Sequence, residues 1–395
     1  MKKIEEAQKY LKEMKVDGWL LYDFEGNNPL AHRFLEIPHH LITKRRFFYW
    51  VPTSGTPVKI VHAIEPHTLD RLPGEKKLFA SWQSLHQELR SLLQGKKKVA
   101  MEYSPLNAIP YLSKVDAGTV DLIRSFGVEV VSSADFLAHF TAVLDPDQAA
   151  SQLRAGKVCD SIANGAWKWI RDHLEQGITE YDVQQKIFSD FQKMNFVSDG
   201  LPIVGVNQHS ADPHYQPQKE TASPIRKGDF ILIDLWAKEN RENAIFGDIT
   251  RVGVAAERPT PRQQEIFHIV RTAQKAAYEL IRSRFTQKKR IEGWEVDEAA
   301  RKVIRDAGYG DYFTHRTGHS IEIDLHGSGA HMDNLEMHDV RPLLPGTCFS
   351  IEPGIYLPDE FGVRLEYDVY IHLNGAVEIS GGEQDEIVCL SKHKS

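Results

Sequence analysis

Four carboxylates sit inside apolar, strand-like runs, and this placement restricts the fold of the 395-residue chain more than any other feature. Asp234 ends the run Ile231-Leu232-Ile233, and Asp248 follows Phe246-Gly247. Glu352 comes after Phe349 and Ile351 and before Pro353-Gly354, so a strand is expected to end on it. Glu366 lies in an alternating pattern that reads as one strand. Val363, Leu365, Tyr367 and Val369 share one face, and Arg364, Glu366 and Asp368 share the other, because strand residues two apart point the same way. Carboxylates in such runs are rarely buried unless they are paired or bind a metal. The chain must therefore gather several strands around charge.

Histidine completes the set. His319 stands between Gly318 and Ser320, where little bulk crowds its backbone. Asp234, Asp248, His319, Glu352 and Glu366 suit a hard or borderline divalent ion such as Mn²⁺, Co²⁺ or Zn²⁺. The set is large enough for two ions sharing oxygens, an arrangement used in metal-assisted hydrolysis. The alternative is a metal-free acidic pocket, in which crowded carboxylates repel and take up protons. The two aspartates are expected on a hairpin with strands over 229–237 and 244–254 and a polar turn at 238–243. Register decides the outcome there, since a slip of one residue turns a side chain to the opposite face.

The length fits two domains. The first, 1–143, alternates strand-like and helix-like pieces and reads as α/β; it holds no phosphate-binding glycine loop. The stretch Leu144-Asp145-Pro146-Asp147 is expected to be the linker, since Asp-Pro favours a turn. The second domain, 144–395, opens with long helical patterns over 148–174 and from Thr179 onward, where Thr179 is a plausible cap. A strand is expected over 200–206. Further helices are expected from Thr260-Pro261 to about 284 and over 295–307. A net charge of −7 argues against a dedicated nucleic-acid binder. The three cysteines, Cys159, Cys348 and Cys389, are widely spaced and odd in number, which fits reduced thiols in a cytoplasmic protein. The N-terminus lacks the apolar core of a signal peptide, and no apolar run approaches membrane-spanning length.

In order and context, Asp234, Asp248 in Gly247-Asp248-Ile249-Thr250-Arg251, His319 in Gly318-His319-Ser320, Glu352 and Glu366 resemble the metal ligands of the Xaa-Pro peptidases. This family comprises aminopeptidase P and prolidase and is related to creatinase and methionine aminopeptidase. The resemblance implies an α/β N-terminal domain and an α+β pita-bread catalytic domain. It implies two divalent metal ions, Mn²⁺ first and Co²⁺ or Zn²⁺ as alternatives. It also implies hydrolysis of the Xaa-Pro bond in peptides or dipeptides, and a homodimer acting on small peptides, with neither nucleic acid nor membrane as partner. Glu352 would be both ligand and proton shuttle, and His214 and His326 would assist at the scissile carbonyl. His315, Thr250 and Arg364 would support the site, Arg364 either by neutralising carboxylates or by taking a substrate carboxylate. Arg316, Thr317, Glu322 and Gly327 depart from the family pattern and are expected to shape the substrate pocket. A creatinase-like amidinohydrolase or an inactive binding module on the same fold are the rival readings.

Overall fold

The computed structural model describes residues 2–38, 41 and 43–390. It divides into two compact units, Met1–Thr141 and Ala142–Ser395. The expected linker, 144–147, lies just past that division and runs into the first turn of a helix. Asp145 caps a helix by accepting a hydrogen bond from Gln148 N–H, and Pro146 takes the first helical position. Proline is tolerated there because its missing N–H would have had no partner within the helix.

The first unit is a six-stranded mixed sheet with helices against it. Its strands are β1 (Gly18–Asp23), β2 (Phe47–Pro52), β3 (Val58–His62), β4 (Glu75–Phe79), β5 (Lys98–Met101) and β6 (Glu129–Ser132), in the order β4-β3-β2-β1-β5-β6. Its helices are α1 (Lys2–Glu13), α2 (Pro29–Leu35), α3 (Trp82–Leu93), α4 (Ala117–Arg124) and α5 (Ala134–Thr141). On α3, Leu85, Leu89 and Leu93 recur at helical spacing, and all three are buried in the sheet's core with Phe48, Trp50 and Val99. Each such side chain contributes about 1.5–3 kcal/mol when removed from water. A carboxylate lies in this interior. Glu102 accepts hydrogen bonds from Trp19 Nε1 (2.5 Å), Asn28 Nδ2 (2.9 Å) and Ser133 Oγ (3.2 Å). Burial raises its pKa to about 7 despite those donors.

The second unit begins with α6 (Pro146–His173) and α7 (Glu180–Lys193), the latter capped by Thr179. Strands β7 (Phe196–Val197) and β8 (Ile203–Val206) follow, then the hairpin of β9 (Phe230–Glu239) and β10 (Gly247–Val254). Residues 200–202, expected in a strand, precede it. Helices α8 (Pro261–Thr286) and α9 (Gly293–Asp306) match the expected pair and pack along each other. The remaining strands are β11 (Ser320–Ile321), β12 (Cys348–Ile351), β13 (Gly354–Tyr356), β14 (Gly362–Arg364), β15 (Tyr367–Ile371), β16 (Val377–Ser380) and β17 (Val388–Cys389). One sheet runs β17-β10-β9-β7, with β8 also paired to β9; a second runs β11-β12-β15-β16. Helix α6 crosses the hairpin at a glycine contact. A Cβ on Gly247 would lie 2.4 Å from the Gly156 nitrogen, and one on Gly156 would lie 2.2 Å from Ser380 Oγ, so neither residue has room for a side chain.

The single strand expected over 363–369 is broken in two. β14 pairs with β13, whereas β15 pairs with β12. Between them the backbone changes partner: Leu365 N–H donates to Pro353 O, and Glu366 N–H donates to Thr250 O on β10. The alternation of the sequence survives the break, because all three polar residues still face the hairpin.

Glu102 predicts a pH dependence for the first unit. The folded protein keeps this carboxyl protonated up to about pH 7, whereas the unfolded chain releases the proton near pH 4.5. The folded state binds more protons in between, so stability falls as pH rises through that window. Glu102→Gln is expected to flatten the fall in thermal midpoint between pH 5 and 8 (about the span of the two values), as read by differential scanning calorimetry. An unchanged slope in the variant would count against this assignment.

Candidate active site

The hairpin register sets the site. Thr250 lies opposite Asp234, and Trp236 lies opposite Asp248. Asp234, Asp248 and Thr250 therefore project from one face. Across from them come the residues around the strand break. Arg364 reaches Asp234 Oδ2 with Nη2 (2.5 Å) and Thr250 Oγ1 with Nε (3.0 Å). Thr250 Oγ1 in turn donates to Glu366 Oε2 (2.6 Å). Asp368 accepts the backbone N–H of Asp248 (2.9 Å) and Nε2 of Gln152 (2.7 Å).

His319 enters from the second sheet. A Cβ on Gly318 would lie 2.0 Å from Ser350 O, so glycine lets this backbone lie against β12. Ser350 Oγ accepts the His319 backbone N–H (3.0 Å) and donates to Glu352 Oε1 (3.0 Å), linking the His319 backbone to the Glu352 carboxylate. His319 Nε2 lies 3.4 Å from Glu352 Oε1 and 3.6 Å from Asp248 Oδ2. Ligand atoms of Asp248, His319 and Glu366 all lie within 4.8 Å of one another.

Burial and mutual repulsion dominate the electrostatics. Asp248 is pushed well above the usual carboxylate range by burial and then by Glu366, Asp234, Asp368 and Glu352. Glu366 is pushed up by burial and then by Glu352 and Asp234. Burial also raises Asp234, although Arg364 opposes it. Burial lifts Glu352 to about 7. Burial keeps His319 neutral, helped by nearby His326 and Arg316. Oδ1 of Asp234 and Oδ1 of Asp248 are both buried without a hydrogen-bond donor. A neutral imidazole, four carboxylates and two unserved buried oxygens are the donor set that a divalent cation would satisfy.

The supporting residues fall as follows. His326 is exposed at the rim, and its ring stands edge-on to His319 with centroids 4.3 Å apart. His214 is also exposed and close enough for its charge to act on both Asp234 and His326. His315 is joined to the site through Tyr356: its Nε2 lies 2.7 Å from the Tyr356 hydroxyl, which accepts Arg364 Nη1 (2.9 Å). Of the two readings for Arg364, the geometry favours neutralisation, since Asp234, Thr250, Tyr356 and Pro213 O already engage its guanidinium. Two expectations for the substrate pocket are corrected. Thr317 is buried with its N–H and hydroxyl on Asp297 Oδ1 (2.8 and 2.7 Å), and Glu322 is buried against Ser320, Ser328 and Gly329. Glu322 packs inward as the acceptor that buried backbone donors require, and Thr317 as a donor whose own acceptor is Asp297.

The sequence reading missed several supports. The strand alternation puts Asp368 on the expected face but gives it no role, and nothing local marks Gln152 or Ser350. Glu180 is another: this buried carboxylate of α7 accepts Val206 N–H (2.6 Å), Tyr215 Oη (2.8 Å) and Ser223 N–H (2.7 Å), fixing the loop that bears His214.

Residues 151–372 match Metallopeptidase family M24. The chain is 31% identical over 287 residues to the Xaa-Pro dipeptidase of Lactobacillus delbrueckii subsp. lactis, covering 72% of this chain and 71% of that protein. It is 34% identical over 231 residues to the Xaa-Pro dipeptidase of Pyrococcus furiosus, covering 58% of this chain and 61% of that protein. Among solved structures, dipeptidase PepE from Mycobacterium ulcerans superposes with a TM-score of 0.71 at 23% identity, covering 98% of this chain and 97% of that one. Prolidase from Thermococcus sibiricus superposes at 0.63 and 22% identity, covering 98% of each. With the pita-bread architecture of these neighbours and a match spanning more than half its length, the chain belongs to metallopeptidase family M24.

Proposed function

We propose that the protein is a dinuclear metal-dependent peptidase that cleaves the Xaa-Pro bond, with dipeptides as its main substrates. The observation that carries this reading is the buried cluster of Asp248, His319 and Glu366, flanked by Asp234 and Glu352. The names of the relatives, Xaa-Pro dipeptidase and prolidase, support the substrate class. Asp234 would hold one ion and His319 the other, with Asp248 and Glu366 between them and Glu352 completing the set. Bound there, two divalent ions would acidify a water and polarise the scissile carbonyl.

The chain's own groups do the rest. Glu352, beside His319 at the edge of the cluster, would take a proton at Oε and pass it to the leaving proline nitrogen. His326 and His214, on the exposed side of the cluster, donate hydrogen bonds to the carbonyl oxygen as its charge grows. Arg364 and Thr250 hold Asp234 and Glu366 in place. Asp368 fixes the Asp248 backbone. Mn²⁺ is the proposed metal, and a cytoplasmic homodimer the proposed form.

Metal should stabilise the fold, because it relieves repulsion that the unfolded chain does not suffer. Saturating Mn²⁺ is expected to raise the thermal midpoint, by about 2.7 kcal/mol of stability at a hundredfold excess over Kd. Asp248→Asn should raise the midpoint of the chelated protein while abolishing most of the Mn²⁺ response. A midpoint indifferent to Mn²⁺ and to chelator would oppose the metal site.

Hydrolysis of Gly-Pro, Gly-Pro-Pro and Gly-Ala, with Mn²⁺ and with chelator, tests the reaction. Metal-dependent cleavage of Gly-Pro alone is the expected result; cleavage of the tripeptide would make the enzyme an aminopeptidase P. Loss of neither proline peptide under any metal would sink the Xaa-Pro reading. In the active enzyme His326→Ala should lower kcat about a hundredfold or more with bound metal unchanged.

A further inference from the structure

The stretch 320–329 contains a carboxylate that neither metal binding nor substrate contact accounts for. Glu322 is 1% exposed. Its Oε1 accepts Ser328 N–H (2.7 Å), Gly329 N–H (2.8 Å) and Ser320 Oγ (3.0 Å). Its Oε2 accepts Ser328 Oγ (3.2 Å). A backbone bond from Gly327 N–H to Ser320 O (2.7 Å) closes the same loop. Ser320 adjoins His319, and Gly327 adjoins His326. Glu322 therefore ties the 328–329 backbone, just beyond His326, to the Ser320 hydroxyl, just beyond His319.

Gly327 shows how closely the space is used. A Cβ there would lie 2.5 Å from both Cδ and Oε1 of Glu322. The Gly327 backbone is outside the positive-φ glycines, so its conformation admits a side chain. What excludes one is the Glu322 carboxylate. The gap between that Cβ and the carboxylate is one that an acidic side chain at 327 spans by itself.

We propose that Glu322 is the positioning residue for His326, and that its carboxylate can be delivered equally well from position 327. The loop donors need one buried acceptor, and positions 322 and 327 compete for the same volume. Removing the acceptor leaves buried donors unserved, lets the 326–329 turn move, and takes His326 off its place above His319. Only the activity part of the test rests on the peptidase reading.

The test compares Glu322→Gly, Glu322→Gly with Gly327→Glu, and both in a His326→Ala background, all loaded with Mn²⁺. Amide hydrogen exchange needs no substrate. Glu322→Gly is expected to speed exchange at 327–329 about tenfold or more, with the 230–254 hairpin and bound metal unchanged. Adding Gly327→Glu should restore protection. On Gly-Pro, Glu322→Gly should lower kcat/KM by about 10–100-fold, the second substitution should recover it, and in the His326→Ala background Glu322→Gly should cost nothing more. Unchanged exchange in Glu322→Gly would overturn the proposal. So would restored exchange without restored activity, or an equal loss with and without His326. Glu322→Met, which keeps the length and offers no oxygen acceptor, replaces Glu322→Gly if the latter does not fold. An inactive parent enzyme would refute the substrate reading and leave the exchange result to decide this one.

Discussion

Repulsion among buried carboxylates is the constraint on which the catalytic unit depends. Asp234, Asp248 and Glu366 are buried and Glu352 is partly so, and all four resist ionising there. Such a cluster is tolerable only if its neighbours are committed to it. Arg364 is one such neighbour, with its guanidinium between Asp234 and Thr250. The hairpin is another, since its strong apolar strands supply the burial energy that keeps the charged face in register. Apolar clusters flank this hairpin from both sides, with Leu232 and Val252 in one and Ile233 and Ile249 in another.

Away from the cluster, one device recurs. A buried carboxylate on a helix or turn gathers the backbone N–H groups of a loop that carries a site residue. Glu180 does this for the loop of His214, and Asp297 for Thr317, two residues before His319. Asp339 does it for His331, which in turn accepts the Ser320 N–H. Glu322 does it for the turn after His326. Charge-assisted bonds of this kind are stronger than neutral ones. They hold loops that have little apolar surface of their own. The site thus sits on sheet strands where it binds charge and on carboxylate-pinned loops where it would meet substrate.

The cluster was legible because metal-type side chains inside apolar strands contradict their surroundings. Asp234 after Ile231-Leu232-Ile233 is such a contradiction, and so is Glu366 among Val363, Leu365 and Tyr367. Long helices were legible from their caps, as with Thr179 and Thr260. Two kinds of feature were not. Glu322 and Thr317 look like pocket residues along the chain, since nothing local reveals that Ser328, Gly329 and Asp297 fold back onto them. The break at 365–366 was hidden because both halves keep the same alternation, and only the partners of the backbone N–H groups differ. Asp145-Pro146 serves in both ways, because a helix cap and a linker turn share their residue types.

That break carries a consequence for how such a chain can vary. The segment from Arg364 to Asp368 is measured at both ends and in the middle: Arg364 on Asp234, Glu366 on Thr250, Asp368 on the Asp248 backbone. An added or lost residue here has nowhere to go, since it would shift three anchors at once. The connection between β9 and β10 is different. Arg241, Glu242 and Asn243 are exposed, and no site residue lies in it. Length changes among relatives should therefore accumulate at 240–243 and be absent from 364–368, so that a chain may lengthen its hairpin freely while keeping this short stretch at constant length.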